Sequence, residues 1–399
     1  MKIIQSFLVL LIGIALPVAL FLYEQGDFSQ PEKKPAQSRS EQSGQEEKKL
    51  NEGLQVYQKA YQNAYRAYKQ HIAQQWGEFR DAGPGVWVSY EQSDSIRRTV
   101  NYQTGAVQVE LLVDSGTRIP QVRQQLDKAV FRLMNTTQQE AFSSDIVASQ
   151  VERSLDGLGD VVQKGELTDK RLFALDDLVS LQMNHDGFIR VSSRPRNIAS
   201  TDVRPSVKKG KSIVRVSFEI PQTLEKEAAK YAAYVKSAAQ KEKIDEELIY
   251  AIMETESSFN PMAKSHIPAY GLMQIVPHTA GKDATRYLYG KSKILSPSYL
   301  FTPQNNISIG AAYLHVLQYR YMRKVKDPEA REYCAIAAYN AGASNVARAF
   351  IKKPSFNKAV RQINKLSSSQ VYDKLRSYLP DEESRSYVVK VSKRMQKYQ

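Results

Sequence analysis

The segment from Ile244 to Pro261 carries the first residues that could do chemistry. Ile244, Leu248, Ile252, Glu256 and Phe259 recur at steps of four, four, four and three, the spacing of one helix face. Glu256 therefore falls on the apolar, inward side. Glu254, about 200° around the helix, is expected to point to solvent. A carboxyl pressed against apolar groups keeps its proton to higher pH, because burial penalises the charge. Such a group can give a proton to a leaving oxygen near neutral pH and take one back. On this segment alone a second role stands open, a structural glutamate that accepts backbone hydrogen bonds or pairs with a base. Downstream come Ser265, the run Gly271-Leu272-Met273-Gln274 and the run Ala338-Tyr339-Asn340-Ala341-Gly342. Their hydroxyl, amide and phenol groups could hold a polar substrate. Each has a plainer reading too: Gly271 permits a turn, Met273 fills a core, and Tyr339 is a buried ring with a satisfied hydroxyl. Gln274 is hardest to set aside, since a buried amide needs partners.

These residues need elements to position them. Asp245 is placed to cap the helix, with Glu246 and Glu247 at its positive end. From Leu224 onward the pattern is helical, with no strand-like alternation of any length. Upstream, Leu50, Leu54, Tyr57, Tyr61, Tyr65, Tyr68, Ile72, Trp76 and Phe79 mark one face of a long helix that Gly83-Pro84-Gly85 ends. That tyrosine stripe suits packing on its own domain; stacking on sugars is the other reading. Val86–Tyr90, Thr99–Tyr102 and Ala106–Val113 read as strands of a small antiparallel sheet. A helix over Pro120–Met134 covers it, and Ile189–Ser192 and Ser212–Ile220 are further strands. Arg194 to Lys211 reads as a basic loop. His185 is isolated, with a surface or packing role. The fold class is α+β: a mixed domain with a small antiparallel sheet at 49–222, then a mostly α-helical domain at 223–399, with Pro221 at the boundary.

Composition limits the partners. The 399 residues include 56 basic and 42 acidic side chains, a net charge of +14. Residues 223–399 hold 28 of the basic and 16 of the acidic groups, so +12 of that charge lies there. Such a surface suits nucleic acid, anionic lipid or an acidic polymer, or it merely keeps the chain soluble. Cys334 is the single cysteine, which excludes an intrachain disulfide and a cysteine-built zinc site. His266, His278 and His315 lack ligand spacing, so no metal and no cofactor is expected. Residues 1–23 are apolar from Phe7 to Tyr23 and read as a signal anchor, with a cleaved signal peptide as the alternative. Residues 24–48 are polar and read as a disordered linker.

The blocks Glu256-Ser-Ser-Phe-Asn-Pro261, Gly271–Gln274 and Ala338–Gly342, in this order, resemble the lytic murein transglycosylases of the soluble lytic transglycosylase type, whose fold is goose-lysozyme-like. The resemblance covers Leu224 to Gln399. The upstream domain and the run Glu383-Ser384-Arg385-Ser386-Tyr387-Val388 are similar to a membrane-bound subfamily. The resemblance implies that Glu256 is the sole catalytic acid and base. It implies that Ser265 and Gln274 line the groove, that Met273 packs beside them and that Tyr339 approaches the reacting sugar. Asn340 braces the site, and Tyr387 completes the groove. The implied reaction cleaves the β-1,4 bond between N-acetylmuramic acid and N-acetylglucosamine without water, leaving a 1,6-anhydromuramic end. A hydrolytic lysozyme on the same fold and a catalytically silent wall-binding scaffold are the rivals. The implied partners are peptidoglycan strands, the membrane through the N-terminal segment, and cell-wall machinery through residues 49–222. Nucleic acid is not expected, since no recognition motif for it is present. Members of the subfamily carry a lipidation cysteine after the signal. Its absence here points to a periplasmic enzyme anchored to the inner membrane rather than an outer-membrane lipoprotein.

Overall fold

A computed structural model describes residues 36–91, 94–173, 181–183, 189–191, 202–205, 210–220, 224–351 and 355–399. The expected anchor and His185 lie outside the described residues. No helix among those described is long and apolar enough to cross a membrane. The chain divides into two compact units, Met1–Lys48 and Lys49–Gln399. Helix α1 runs from Ala36 to Trp76 and so begins inside the segment read as a disordered linker. That stretch lacks apolar side chains but is rich in Gln, Glu, Lys and Arg. These residues extend a helix cheaply once it is nucleated.

Within Lys49–Gln399, the strands β1 (Val86–Glu91), β2 (Ile96–Asn101) and β3 (Ala106–Asp114) form a meander. The short strands β4 (Val162–Gln163), β5 (Leu181–Met183), β6 (Ile189–Val191) and β7 (Asp202–Pro205) follow, then β8 (Lys211–Glu219). The main sheet has the order β1-β2-β3-β8-β7 and is antiparallel throughout. β7 lies within the stretch read as a basic loop; it is an edge strand, where Pro205 removes no interior ladder bond. One sheet face carries Trp87, Val100, Val107, Val109 and Leu111, all buried. Helix α2 (Ile119–Asn135) turns Val122, Leu126, Ala129 and Leu133 inward. On the other face Ile72 and Trp76 at the end of α1 pack with Tyr90 and Leu112. There Glu110, fully buried, takes Arg97 Nε at 2.6 Å, Arg80 at 2.9 Å and Arg215 at 2.7 Å. Three guanidiniums hold its carboxyl below the ordinary range against the cost of burial. Helices α3 (Gln138–Ser144) and α4 (Ile146–Ser154), capped by Thr137 and Asp145, complete this part.

Helices α5 (Leu224–Ala229), α6 (Ala232–Glu242) and α7 (Glu246–Ser257) begin the helical part. It continues through α8 (Lys282–Tyr289), α9 (Pro297–Phe301), α10 (Pro303–His315), α11 (Pro328–Ala341), α12 (Ala343–Arg348), α13 (Phe356–Ile363), α14 (Ser368–Tyr378) and α15 (Glu382–Tyr398). One short strand, β9 (Ile294–Leu295), interrupts the helices and pairs in parallel with β4. The two parts share one hydrophobic core. Tyr57 and Tyr61 of α1 meet Tyr270 edge-on at 6.4 and 6.3 Å, so the tyrosine stripe packs inward on the helical part.

Candidate active site

Helix α7 is enclosed because Leu248, Ile249, Ala251, Ile252 and Met253 are all fully buried. Asp245 stands at its N-cap without a side-chain capping bond. The helix ends where Ser258 and Phe259 take φ values of 49° and 65°, a left-handed reversal that Gly85 of the upstream turn abuts. Glu256 lies in the last turn of α7, two residues before Ser258, and is half-buried. Tyr387 of α15, itself buried, donates its hydroxyl to Glu256 Oε1 at 2.7 Å. The surrounding protein pushes the Glu256 carboxyl up to about 7: burial raises it most, the Tyr387 hydrogen bond pulls it down, and the Glu383 charge raises it further. A carboxyl poised there can both donate and accept a proton near neutral pH.

Glu254 corrects the sequence expectation. It is buried rather than turned to solvent. Arg394 Nε bonds it at 2.9 Å, Lys397 at 3.3 Å and the Tyr398 hydroxyl at 2.5 Å. The reason is α15, which covers the side of α7 that an isolated amphipathic helix would leave wet.

The Gly271–Gln274 turn forms one wall. Gly271 has φ of 74° and Gln274 of 46°. A Cβ at Gly271 would collide with Asn306 and the Leu300 carbonyl, so the turn requires glycine there. Asn306, fully buried on α10, clamps this turn: its amide donates to the Tyr270 and Leu300 carbonyls and accepts from Met273 N, each at 2.8 Å. Gln274 finds its partners in the backbone, donating to the Ala263 and Gly271 carbonyls at 3.0 Å. Its Oε1 takes no donor among the described residues. Met273 is fully buried, its sulfur against Gly310, so its side chain supports the wall from behind. Its carbonyl accepts the Tyr339 hydroxyl at 2.8 Å. Burial pushes the Tyr339 phenol up most, and the nearby Glu256 carboxylate adds to it. Asn340 Oδ1 accepts from Ser384 Oγ at 2.7 Å, tying the end of α11 to the first turn of α15. Ser265 donates to the Ile267 carbonyl within its own turn, and its carbonyl accepts the Tyr61 hydroxyl at 2.5 Å.

The structure thus brings Glu256, Tyr387 and Tyr339 together and sets Gln274, Met273 and Asn340 around them. Ser265 belongs to the loop before the wall. The sequence reading quoted Glu383 without giving it a role and did not single out Asn306. Glu383 lies four residues before Tyr387, one helical turn, which was a usable signal. Asn306 was signalled only by an amide within an otherwise apolar stretch.

Glu256 is thus a half-buried acid raised to about 7, hydrogen-bonded to the Tyr387 phenol and with the Tyr339 phenol nearby. The Transglycosylase SLT domain family matches residues 233–362. Membrane-bound lytic murein transglycosylase C of Serratia proteamaculans is 33% identical over 364 residues, 89% of this chain and 94% of that one. Its counterpart from Klebsiella pneumoniae is 34% identical over 338 residues, 83% and 87% of the two chains. Among solved structures, the 70 kDa soluble lytic transglycosylase of Escherichia coli overlaps at 26% identity and a TM-score of 0.33. That overlap covers 42% of this chain and 24% of that one. The chain belongs to the family of the SLT-domain lytic murein transglycosylases. It is an enzyme, and murein, the peptidoglycan of the cell wall, is that family's substrate.

Proposed function

We propose that this enzyme cleaves the β-1,4 bond between N-acetylmuramic acid and N-acetylglucosamine without water, with Glu256 as the single acid and base. The observation that carries the reading is the Glu256 carboxyl, raised to about 7 and held on one oxygen by Tyr387. Protonated Glu256 gives its proton to the glycosidic oxygen, and the bond from that oxygen to C1 breaks. The substrate's 2-acetamido oxygen supports C1 as the bond departs. Ionised Glu256 then takes the proton of the C6 hydroxyl, whose oxygen closes on C1 as the 1,6-anhydro ring. Atoms balance without water and the carboxyl returns to its starting state.

Tyr387 orients the carboxyl. Tyr339 and the Oε1 of Gln274 face the sugars, with Ser265 further along the groove. Asn340 and Met273 brace the wall. Residues 1–23 anchor the enzyme to the inner membrane with its body in the periplasm, and residues 49–222 support the cleft and offer a surface to wall machinery. The positive charge of residues 223–399 draws the enzyme to stem-peptide carboxylates.

The test is mass spectrometry of purified sacculi digested by the full-length protein in detergent, beside Glu256→Gln. The expected result is anhydro-ended muropeptides from the wild type and at least a thousandfold less from the variant. Reducing ends would instead identify a lysozyme, and murein binding without release would identify a scaffold.

A further inference from the structure

A run of tyrosines leads outward from the Glu256 carboxyl. Tyr339, near Glu256, meets the Tyr313 ring of α10 at 5.4 Å. Burial raises the Tyr313 phenol most, and the charges of Asp283 and Tyr321 lie close enough to raise it further. Tyr339 and Tyr313 are half-buried, whereas Tyr321 is 46% exposed. Tyr321 follows Tyr313 by eight residues. In an α-helix that spacing would leave the two side chains about 80° apart. The stretch Val316–Tyr321 is instead a π-helical turn, and its wider winding swings Tyr321 back towards the side of Tyr313. A second π-helical turn, Pro277–Gly281, leads into α8, which carries Asp283. Such turns are rare, and they gather where a side chain has to be aimed for function.

The exposed ring is held in place. The Tyr321 hydroxyl donates to Asp283 Oδ2 at 2.9 Å. Among the described residues no other ring stacks on Tyr321 and no cation lies over it. Arg286, three residues after Asp283 on α8, is exposed, forms no ion pair among the described residues and is close enough to act on the Tyr321 phenol. Arg320 is engaged elsewhere, over the Tyr287 ring at 4.6 Å. The charges acting on Tyr321 are thus one carboxylate and one guanidinium, which cancel. An ion gains little at such a place, but a neutral sugar gains from each part. Its C–H face packs on the ring, and its hydroxyls give hydrogen bonds to the carboxylate and take them from the guanidinium. The tether of Tyr321 to Asp283 lowers the cost of ordering the ring when the sugar arrives.

We propose that Tyr321, Asp283 and Arg286 form a distal saccharide subsite, which holds the murein glycan beyond the two sugars flanking the cut bond and makes the enzyme favour long strands. The proposal rests on the murein reading above. The test is steady-state kinetics of the full-length enzyme in detergent on peptide-free murein glycans of increasing length, and on the same strands carrying peptide stems. The wild-type KM is expected to fall about tenfold once a strand is long enough to reach Tyr321, the size of one ring contact with its hydrogen bonds. Tyr321→Ala should lose that fall, and Arg286→Ala should lose part of it. Both residues are exposed, so neither change opens the core. A wild-type KM that does not depend on strand length would overturn the proposal. So would a Tyr321→Ala effect of equal size on the shortest strand, which would make the ring a mere support for Tyr313. An effect confined to stem-bearing strands would overturn it too, and would make the place a peptide site. Absence of anhydro-ended product from every strand would instead overturn the murein reading, a result distinct from these.

Discussion

Three influences meet at one carboxyl, and each can be removed separately. Burial and Glu383 hold the Glu256 proton on, while the Tyr387 hydroxyl favours the ionised form. Tyr387→Phe should therefore move the alkaline limb of the pH–rate profile upward and, by loosening the carboxyl, lower kcat about tenfold. Glu383→Gln removes a raising charge and should move the same limb downward. Steady-state rates between pH 5 and 9 read both shifts. The stability sign follows from the same raised value: the folded state holds this proton more tightly than the unfolded chain, from 4.5 up to about 7. Glu256 thus costs stability progressively as pH rises through that window. Glu256→Gln should melt higher than the wild type at pH 8, by roughly 2 °C, with the gap closing towards pH 5. At this scale the periodicity of α7 showed which way Glu256 turns. It misplaced Glu254, because a helix period reports one apolar face and not a second helix that brings Arg394 to the other side.

Helix α15 is that second element. Towards the cleft it presents Tyr387, and Ser384 bonded to Asn340; to the opposite side of α7 it gives Arg394 and Tyr398. Glu254 and Glu256 of α7 are thus both fixed from one helix. Arg394→Ala should leave Glu254 short of a cation and cost about 2 kcal/mol in urea unfolding, reduced from a fully buried pair because Arg394 is partly exposed. It should also lower kcat several-fold through the looser Tyr387, and Arg394→Lys should recover part of both. Elements with strong periodicity were legible in sequence, among them β1, β3, α2 and α7. β7 was not, since its Arg and Pro carry no alternation and its place depends on pairing with β8. The start of α1 at Ala36 was hidden for the converse reason: the added turns are polar all round and so show no hydrophobic face.

At the scale of the molecule the sheet-bearing and helical parts act as one body. The sequence boundary near Pro221 marked a change of composition, yet the core runs across it. Tyr61→Ala would open the joint beneath Tyr270. The expected cost is about 3 kcal/mol, with a loss of murein cleavage, measured as a lower Tm and a lower release of soluble muropeptides. The joint also ties distant stretches of chain to one another. Tyr61 reaches the Ser265 carbonyl across 204 residues, and Asn260 reaches the Pro84 carbonyl across 176. Closing loops that long costs chain entropy, which the burial around Tyr270 must offset. The loop carrying Ser265 and the turn after α7 are therefore held by the sheet-bearing part of the chain, and a cut between the two parts would release both.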